Sequence, residues 1–157
     1  MISPNNQSTA QNPVGRFMVA VGAIIENPQD QTILLMRRAG SQDWHNNEWE
    51  ITYGRIDQFE DTYQGLAREV KEETGLSNII VKDILTTWHI FRGDKTAENE
   101  VIGITYVCET NTTQVTPSFE HSDYRWVKPE EALELVTVDG IRRDILAFIN
   151  YKKRLTN

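Results

Sequence analysis

The stretch GRIDQFEDTYQGLAREVKEETGL, residues 54–76, decides how this chain folds and what it can do. Within it Glu69, Glu72 and Glu73 stand at i, i+3 and i+4. That spacing puts all three on one face of a helix, across an arc of about 100°. Tyr63, Leu66, Ala67, Val70 and Thr74 fall on another arc, suited to packing on a core. The ends carry matching signals. Asp61, with Gln64 three residues later, predicts a capped amino end. Gly75 predicts a left-handed residue that closes the helix. Gly65 lies inside the acidic arc, where a helix-interior glycine costs about 1 kcal/mol against alanine. A packing or access reason is therefore expected there.

Carboxylates clustered on one helix face repel one another, and a bare E-x-x-E-E is usually only solvated surface. Here it sits in a longer pattern: Gly54, Glu60, Arg68, Glu69, Val70, Glu72, Glu73, Gly75 and Leu76 fit G-x5-E-x7-R-E-U-x-E-E-x-G-U, with U a bulky aliphatic. A hard divalent cation, Mg2+ or Mn2+, would offset the repulsion, polarise a phosphoryl oxygen and activate water. Arg68 is spaced to reach Glu72 one turn on and orient it.

Working outward, Phe17–Glu26 and Thr32–Arg38 read as strands joined at Asn27–Asp30, a hairpin. Gly40–Asn47 is a polar loop, and Glu48–Tyr53 a short alternating strand. Beyond the helix, Ile79–Phe91 reads as a strand long enough to be bent or broken, followed by strands at Glu100–Glu109 and Tyr124–Val127. Pro129–Leu135 is a short helix with Pro in its first turn, and Ile141, Ile145, Phe148 and Ile149 set a closing amphipathic helix. Strands before, between and after helices predict a mixed sheet flanked by helices, an α/β (α+β) arrangement. Residues 1–14, polar and rich in Asn and Gln, are expected to be a flexible arm, and 15–157 a single domain.

The chain has 157 residues, 39% hydrophobic and 25% charged, with a net charge of −7. That balance argues against a broad surface for nucleic-acid polymers, but not against a small nucleotide held through a metal. Cys108 is the sole cysteine, so no internal disulfide forms. No stretch approaches membrane-spanning length, and a cytoplasmic location is expected.

The 54–76 pattern resembles the signature of the Nudix hydrolases, which cleave nucleoside diphosphates linked to another group. The resemblance implies an α/β/α sandwich in which the signature forms a loop-helix-loop. It implies that Glu69 and Glu73 bind metal, that Glu72 helps to hold metal or activate water, and that the Gly54 carbonyl joins the metal shell. Glu69, Glu72 and Arg68 are thus candidate catalytic residues. A further carboxylate often serves as base, for which Glu120 is the candidate and Asp123 the reserve. Arg38 and Arg55 are candidates for phosphate contact. Arg37 and Arg38 point to opposite faces if on a strand. Trp44 is the candidate for contact with a base, whereas Trp88 and Trp126 are expected in the core. The implied substrate is a small-molecule nucleotide. Homodimers are common among similar proteins, though no feature here demands one.

The chain departs from the family in places. Tyr53 stands where many members have a second glycine before Gly54, and Phe59 where many have a glycine before the first glutamate. ADP-ribose hydrolases often carry a proline fifteen residues after the signature; this chain has Phe91. Some dinucleoside polyphosphate hydrolases carry a tyrosine slightly further on; here stand Arg92, Gly93 and Asp94. The expected function is metal-dependent cleavage of the diphosphate linkage of a nucleoside triphosphate or similar nucleotide. The alternatives are a non-catalytic nucleotide sensor, or hydrolysis of ADP-ribose or dinucleoside polyphosphates. An isoprenoid-diphosphate isomerase would call for a cysteine near the site.

Overall fold

The computed structural model describes residues 15–40 and 46–156. The strands are β1 (Met18–Asn27), β2 (Thr32–Arg38), β3 (Trp49–Glu50), β4 (Thr52–Arg55), β5 (Ile80–Phe91), β6 (Glu100–Glu109) and β7 (His121–Val127). The helices are α1 (Thr62–Thr74), α2 (Pro129–Leu135) and α3 (Asp139–Leu155). They build a seven-stranded sheet in the order β3-β2-β1-β6-β5, with β4 also on β1 and β7 also on β2. β1 and β6 run parallel from Met18↔Val101 to Glu26↔Glu109, and the other pairs are antiparallel, so the sheet is mixed, as expected.

Alternation along the strands fills both faces. Val21, Ala23 and Ile25 of β1 join Leu34 and Met36 of β2 and Leu66 and Val70 of α1 in one core. Ile24, Ile33 and Leu35 join Ala132 of α2 and Ile141, Ile145 and Phe148 of α3 in the other. The result is a sheet between α1 on one side and α2 and α3 on the other, the expected α/β/α sandwich. Cys108 lies fully buried in the α1-side core, and burial pushes its thiol up to about 12. It has no place in the chemistry.

The alternating stretch 48–53 is not one strand. Trp49–Glu50 pairs with β2, and Thr52–Arg55 pairs with β1 through Val21↔Gly54 and Gly22↔Tyr53. The switch occurs at Ile51, which is wholly buried. β1 therefore serves β4 along Ala20–Ala23 and β2 only at Glu26–Asn27. This fork brings Glu50, Gly54 and the start of α1 to one end of the sheet. β5 is continuous but bulged between Val81/Asp83 and between Ile84/Thr86, the bend its length suggested. β7 starts at His121, earlier than the sequence suggests.

α1 has the ends expected of it. The Asp61 side chain accepts from the Tyr63 and Gln64 amides, and the Gln64 side chain accepts from the Asp61 amide. Gly75 closes the helix at φ 74°. The apolar face is narrower than expected: Leu66, Val70 and Thr74 are buried, but Tyr63 and Ala67 are exposed. Glu73, from the acidic arc, is buried instead.

Candidate active site

One cleft of about 970 Å³ gathers most of the residues singled out above. Glu69, Glu72 and Glu73 reach it from α1, Arg38 from β2, Gly54 and Arg55 from β4, and Glu120 from the turn before β7. Asp123 does not line it, and its carboxylate accepts from the Tyr124 amide. Trp44 lies outside the described residues, as does His45. Trp88, expected in the core, is half-buried and forms part of the cleft wall instead. Trp126 packs against the α1-side core and donates through Nε1 to the Thr113 carbonyl at 2.9 Å.

Arg68 is not among the cleft-lining residues; it holds the others in place. Its Nε and Nη2 grip Glu60 Oε1 and Oε2 at 2.9 and 2.8 Å, a fork-to-fork pair. Nη1 reaches Glu69 at 2.8 Å and Glu72 at 3.2 Å, while Nη2 also donates to the Arg55 carbonyl at 2.9 Å. One guanidinium thus ties the loop after Gly54 to the acidic face of α1. The Arg68 pair and the Asp57 amide hold Glu60 down at about 2. Gly65 now has its reason: a Cβ there would stand 3.0 Å from Glu60 Oε2 and 3.3 Å from Ile56 Cγ1.

Gly54 is required more strictly. A Cβ on it would fall 1.8 Å from Glu69 Cδ, so the bare backbone of β4 lies directly against the Glu69 carboxylate. Behind it sits Glu73, 7% exposed, with Oε2 buried and without a partner. Burial first, then the neighbouring Glu50, Glu69 and Glu120, push the Glu73 carboxyl well above its ordinary value. Burial also raises Glu69, against the pull of Arg68.

Glu50 and His121 escaped the sequence reading. Glu50 is 8% exposed, pairs with Arg38 Nη1 at 3.0 Å and meets His121 Nε2 at 3.1 Å. The only hint was a carboxylate between Trp49 and Ile51, two residues that pack on the opposite face. His121 seats the turn that carries Glu120. That turn is tied down further by Ser118 N to the Glu73 carbonyl at 3.0 Å, Thr116 N to the Thr74 carbonyl at 2.8 Å, and Ala39 N to the Glu120 carbonyl at 2.7 Å. Arg37, on the other face of β2, donates to the Asn47 carbonyl and lies over the Trp49 ring.

Among the described residues no three Asp, Glu, His or Cys side chains are gathered closely enough to chelate an ion as they stand. The donors nevertheless suit a divalent cation. They are hard oxygens, they crowd against like charge, Glu73 keeps one buried oxygen unused, and Gly54 leaves its backbone open beside Glu69. An ion would relieve what the protein alone leaves uncompensated. Glu69, Glu72 and Glu73 are the side chains that would hold it.

Comparison with known proteins gives the same picture. The model of the NUDIX domain matches residues 16–148. The nucleoside triphosphatase NudI of Salmonella schwarzengrund is 31% identical over 141 residues, covering 84% of this chain and 96% of that protein. The MutT protein of Methanosarcina mazei Go1 superposes with a TM-score of 0.71 at 27% identity, over 89% of this chain and 97% of that one. A Caenorhabditis elegans Ap4A hydrolase shares the fold, with a TM-score of 0.72 at 21% identity, over 87% of this chain and 98% of that one. With its signature intact from Gly54 to Leu76 and the domain match running through β1 into α3, the chain belongs to the NUDIX family and is a hydrolase.

Proposed function

We propose that this protein is a Mg2+-dependent pyrophosphohydrolase of nucleoside triphosphates or closely similar small nucleotides, with Mn2+ as a substitute ion. The observation that carries this is the buried, unpartnered oxygen of Glu73, set among Glu50, Glu69 and Glu120 in a cleft that also presents Arg38 and Arg55. Such a concentration of carboxylate is costly on its own and would be relieved by a divalent cation. The similarity to a nucleoside triphosphatase supports the substrate class.

In this reading Glu69, Glu72 and Glu73, with the Gly54 carbonyl, hold the metal, which when bound neutralises phosphate charge and makes water nucleophilic. Arg68 keeps Glu60 and the loop after Gly54 in register with α1. Arg55, exposed and lining the cleft, meets a phosphate oxygen. Arg38 stays paired with Glu50 and lends positive charge beside it. Glu120 takes a proton from the attacking water as the new P–O bond forms and the bridging P–O bond breaks. The bridging oxygen leaves with the departing fragment, so that nucleoside monophosphate and pyrophosphate are the two products.

Phosphate and pyrophosphate release from a broad nucleotide panel with Mg2+ tests this, in parallel with Glu72→Gln and Glu73→Gln. Turnover of nucleoside triphosphates that both variants lose is the expected result. A wild-type protein that cleaves nothing in the panel sinks the proposal.

A further inference from the structure

Behind Tyr53 and Trp88 of the cleft lining is a second polar construction that the proposed chemistry does not use. Asp144, on α3, is fully buried. Its Oδ2 accepts from Tyr53 OH at 2.8 Å and from Thr105 Oγ1 at 2.6 Å. Its Oδ1 accepts from Thr86 Oγ1 at 3.0 Å and from Arg143 at 3.3 Å. Thr105 Oγ1 in turn accepts from Trp88 Nε1 at 3.0 Å. Two aromatic rings, from β4 and β5, are therefore pinned to a single carboxylate, Tyr53 directly and Trp88 through Thr105.

Each ring also lies on a bare stretch of backbone. Tyr53 pairs across strands with Gly22, and a Cβ on Gly22 would fall 2.3 Å from its ring. Trp88 pairs with Gly103, and a Cβ there would fall 2.0 Å from the indole. The rings meet edge to face, centroids 5.9 Å apart at 82°. Both line the cleft, beside Ala20 and Val101 on the strands and Ile141 on α3. Tyr53 stands where many members of the family have a glycine.

A buried carboxylate with donors on both oxygens adds little net stability over a well-packed apolar residue. What it adds is a fixed geometry, because each bond polarises the next along a shared chain. We propose that Asp144 is a positioning residue that fixes Tyr53 and Trp88, in edge-to-face contact with each other, as one side of a slot for the planar nucleobase of the substrate. The proposal rests on the nucleotide reading above. The slot supplies what a base requires: apolar floor, an aromatic side and, at its mouth, the half-exposed Arg143 as a donor.

The test compares Asp144→Ala, Asp144→Asn, Tyr53→Phe, Thr105→Val and Thr86→Val in the full chain with Mg2+. Thr86→Val is the control, since it removes a bond to the same carboxylate but holds neither ring. For the best nucleoside triphosphate, KM rises about tenfold in Asp144→Ala, and kcat falls by less than about threefold. Asp144→Asn, which keeps an acceptor oxygen, recovers most of the loss. Tyr53→Phe and Thr105→Val raise KM in the same direction, and Thr86→Val lowers Tm while KM stays within about twofold. If Asp144→Ala does not fold, Tyr53→Phe and Thr105→Val against Thr86→Val carry the comparison. Calorimetric titration with the four nucleoside monophosphates and with ribose 5-phosphate gives a readout independent of turnover. Base-dependent binding that weakens in Tyr53→Phe and Thr105→Val upholds the slot, even if the wild type hydrolyses nothing. Normal hydrolysis with KM unmoved by these variants, or moved equally by Thr86→Val, overturns the slot and leaves the hydrolase standing. No base-dependent binding by the wild type overturns the slot as well.

Discussion

Two buried carboxylates, Glu73 in the cleft and Asp144 behind its aromatic lining, are treated in opposite ways. Asp144 is fully enclosed, and both its oxygens accept hydrogen bonds. Glu73 is almost as deeply buried, yet one of its oxygens has no partner and its nearest charged neighbours are mostly other carboxylates. A satisfied buried charge holds structure in place. An unsatisfied one stores a cost that something outside the chain must relieve. The difference separates a carboxylate that the folded chain leaves uncompensated from one that it satisfies completely.

The sharpest way to break this comparison is to neutralise Glu73. Glu73→Gln should lower kcat by about 10³-fold, roughly 4 kcal/mol of barrier. The metal-free protein should at the same time become more stable, with Tm rising by about 3 °C, on the order of 1 kcal/mol. Calorimetry in chelator checks the second half; a variant less stable than wild type would mean that Glu73 is as well accommodated as Asp144.

Asp144→Ala should do the reverse, destabilising by about 3 kcal/mol because the buried Tyr53, Thr86 and Thr105 hydroxyls lose their acceptor. Urea denaturation measures it. Arg68→Lys comes next. Lysine keeps the charge but loses the fork that spans Glu60 and reaches Glu69, so turnover should fall about tenfold or more. Steady-state kinetics decide this, with full activity in Arg68→Lys arguing that charge alone suffices.

The pH dependence of stability separates the carboxylates again. Glu73 and Glu69 are held above the ordinary 4.5, so between that value and their folded values the native protein keeps protons that the unfolded chain has lost. Stability of the metal-free protein must then fall as pH rises through that window. Glu60, held at about 2, has the opposite sign: its contribution is present above 4.5 and is lost as pH falls towards 2. Tm measured against pH in chelator should show both limbs in wild type, and Glu73→Gln should flatten the upper one. The smallest effect is expected at Phe59, 97% exposed and held at φ 70°, where L side chains are strained. Phe59→Gly should raise stability by up to about 1 kcal/mol.

Much of the carboxylate cluster was legible in the chain. Glycine, arginine and glutamate at set intervals imply a capped helix with an acidic face, because helix periodicity is local and capping needs only neighbouring residues. The expected cap at Asp61, the left-handed Gly75 and the bend in β5 all appear. What the chain hid was long-range. Glu50, His121 and Asp144 look unremarkable in sequence, since nothing local says that they are buried or what faces them. Trp88 was misjudged for the same reason: whether an aromatic on a strand fills a core or lines a cleft depends on the glycine across from it and on what packs above.

The sequence alone thus determined the acidic helix, its ends, the mixed sheet and the family to which these belong, all of which follow from periodicity and spacing within short segments. Only the tertiary structure decided which carboxylates are satisfied. The fork of β1 between β2 and β4 carries Glu50 and Gly54 to the face of α1, and the packing of α3 on the sheet closes Asp144 over Tyr53, Thr86 and Thr105. Hydrogen-bond partners of a buried group come from residues distant in the chain, 91 positions away between Tyr53 and Asp144, and no local pattern encodes them.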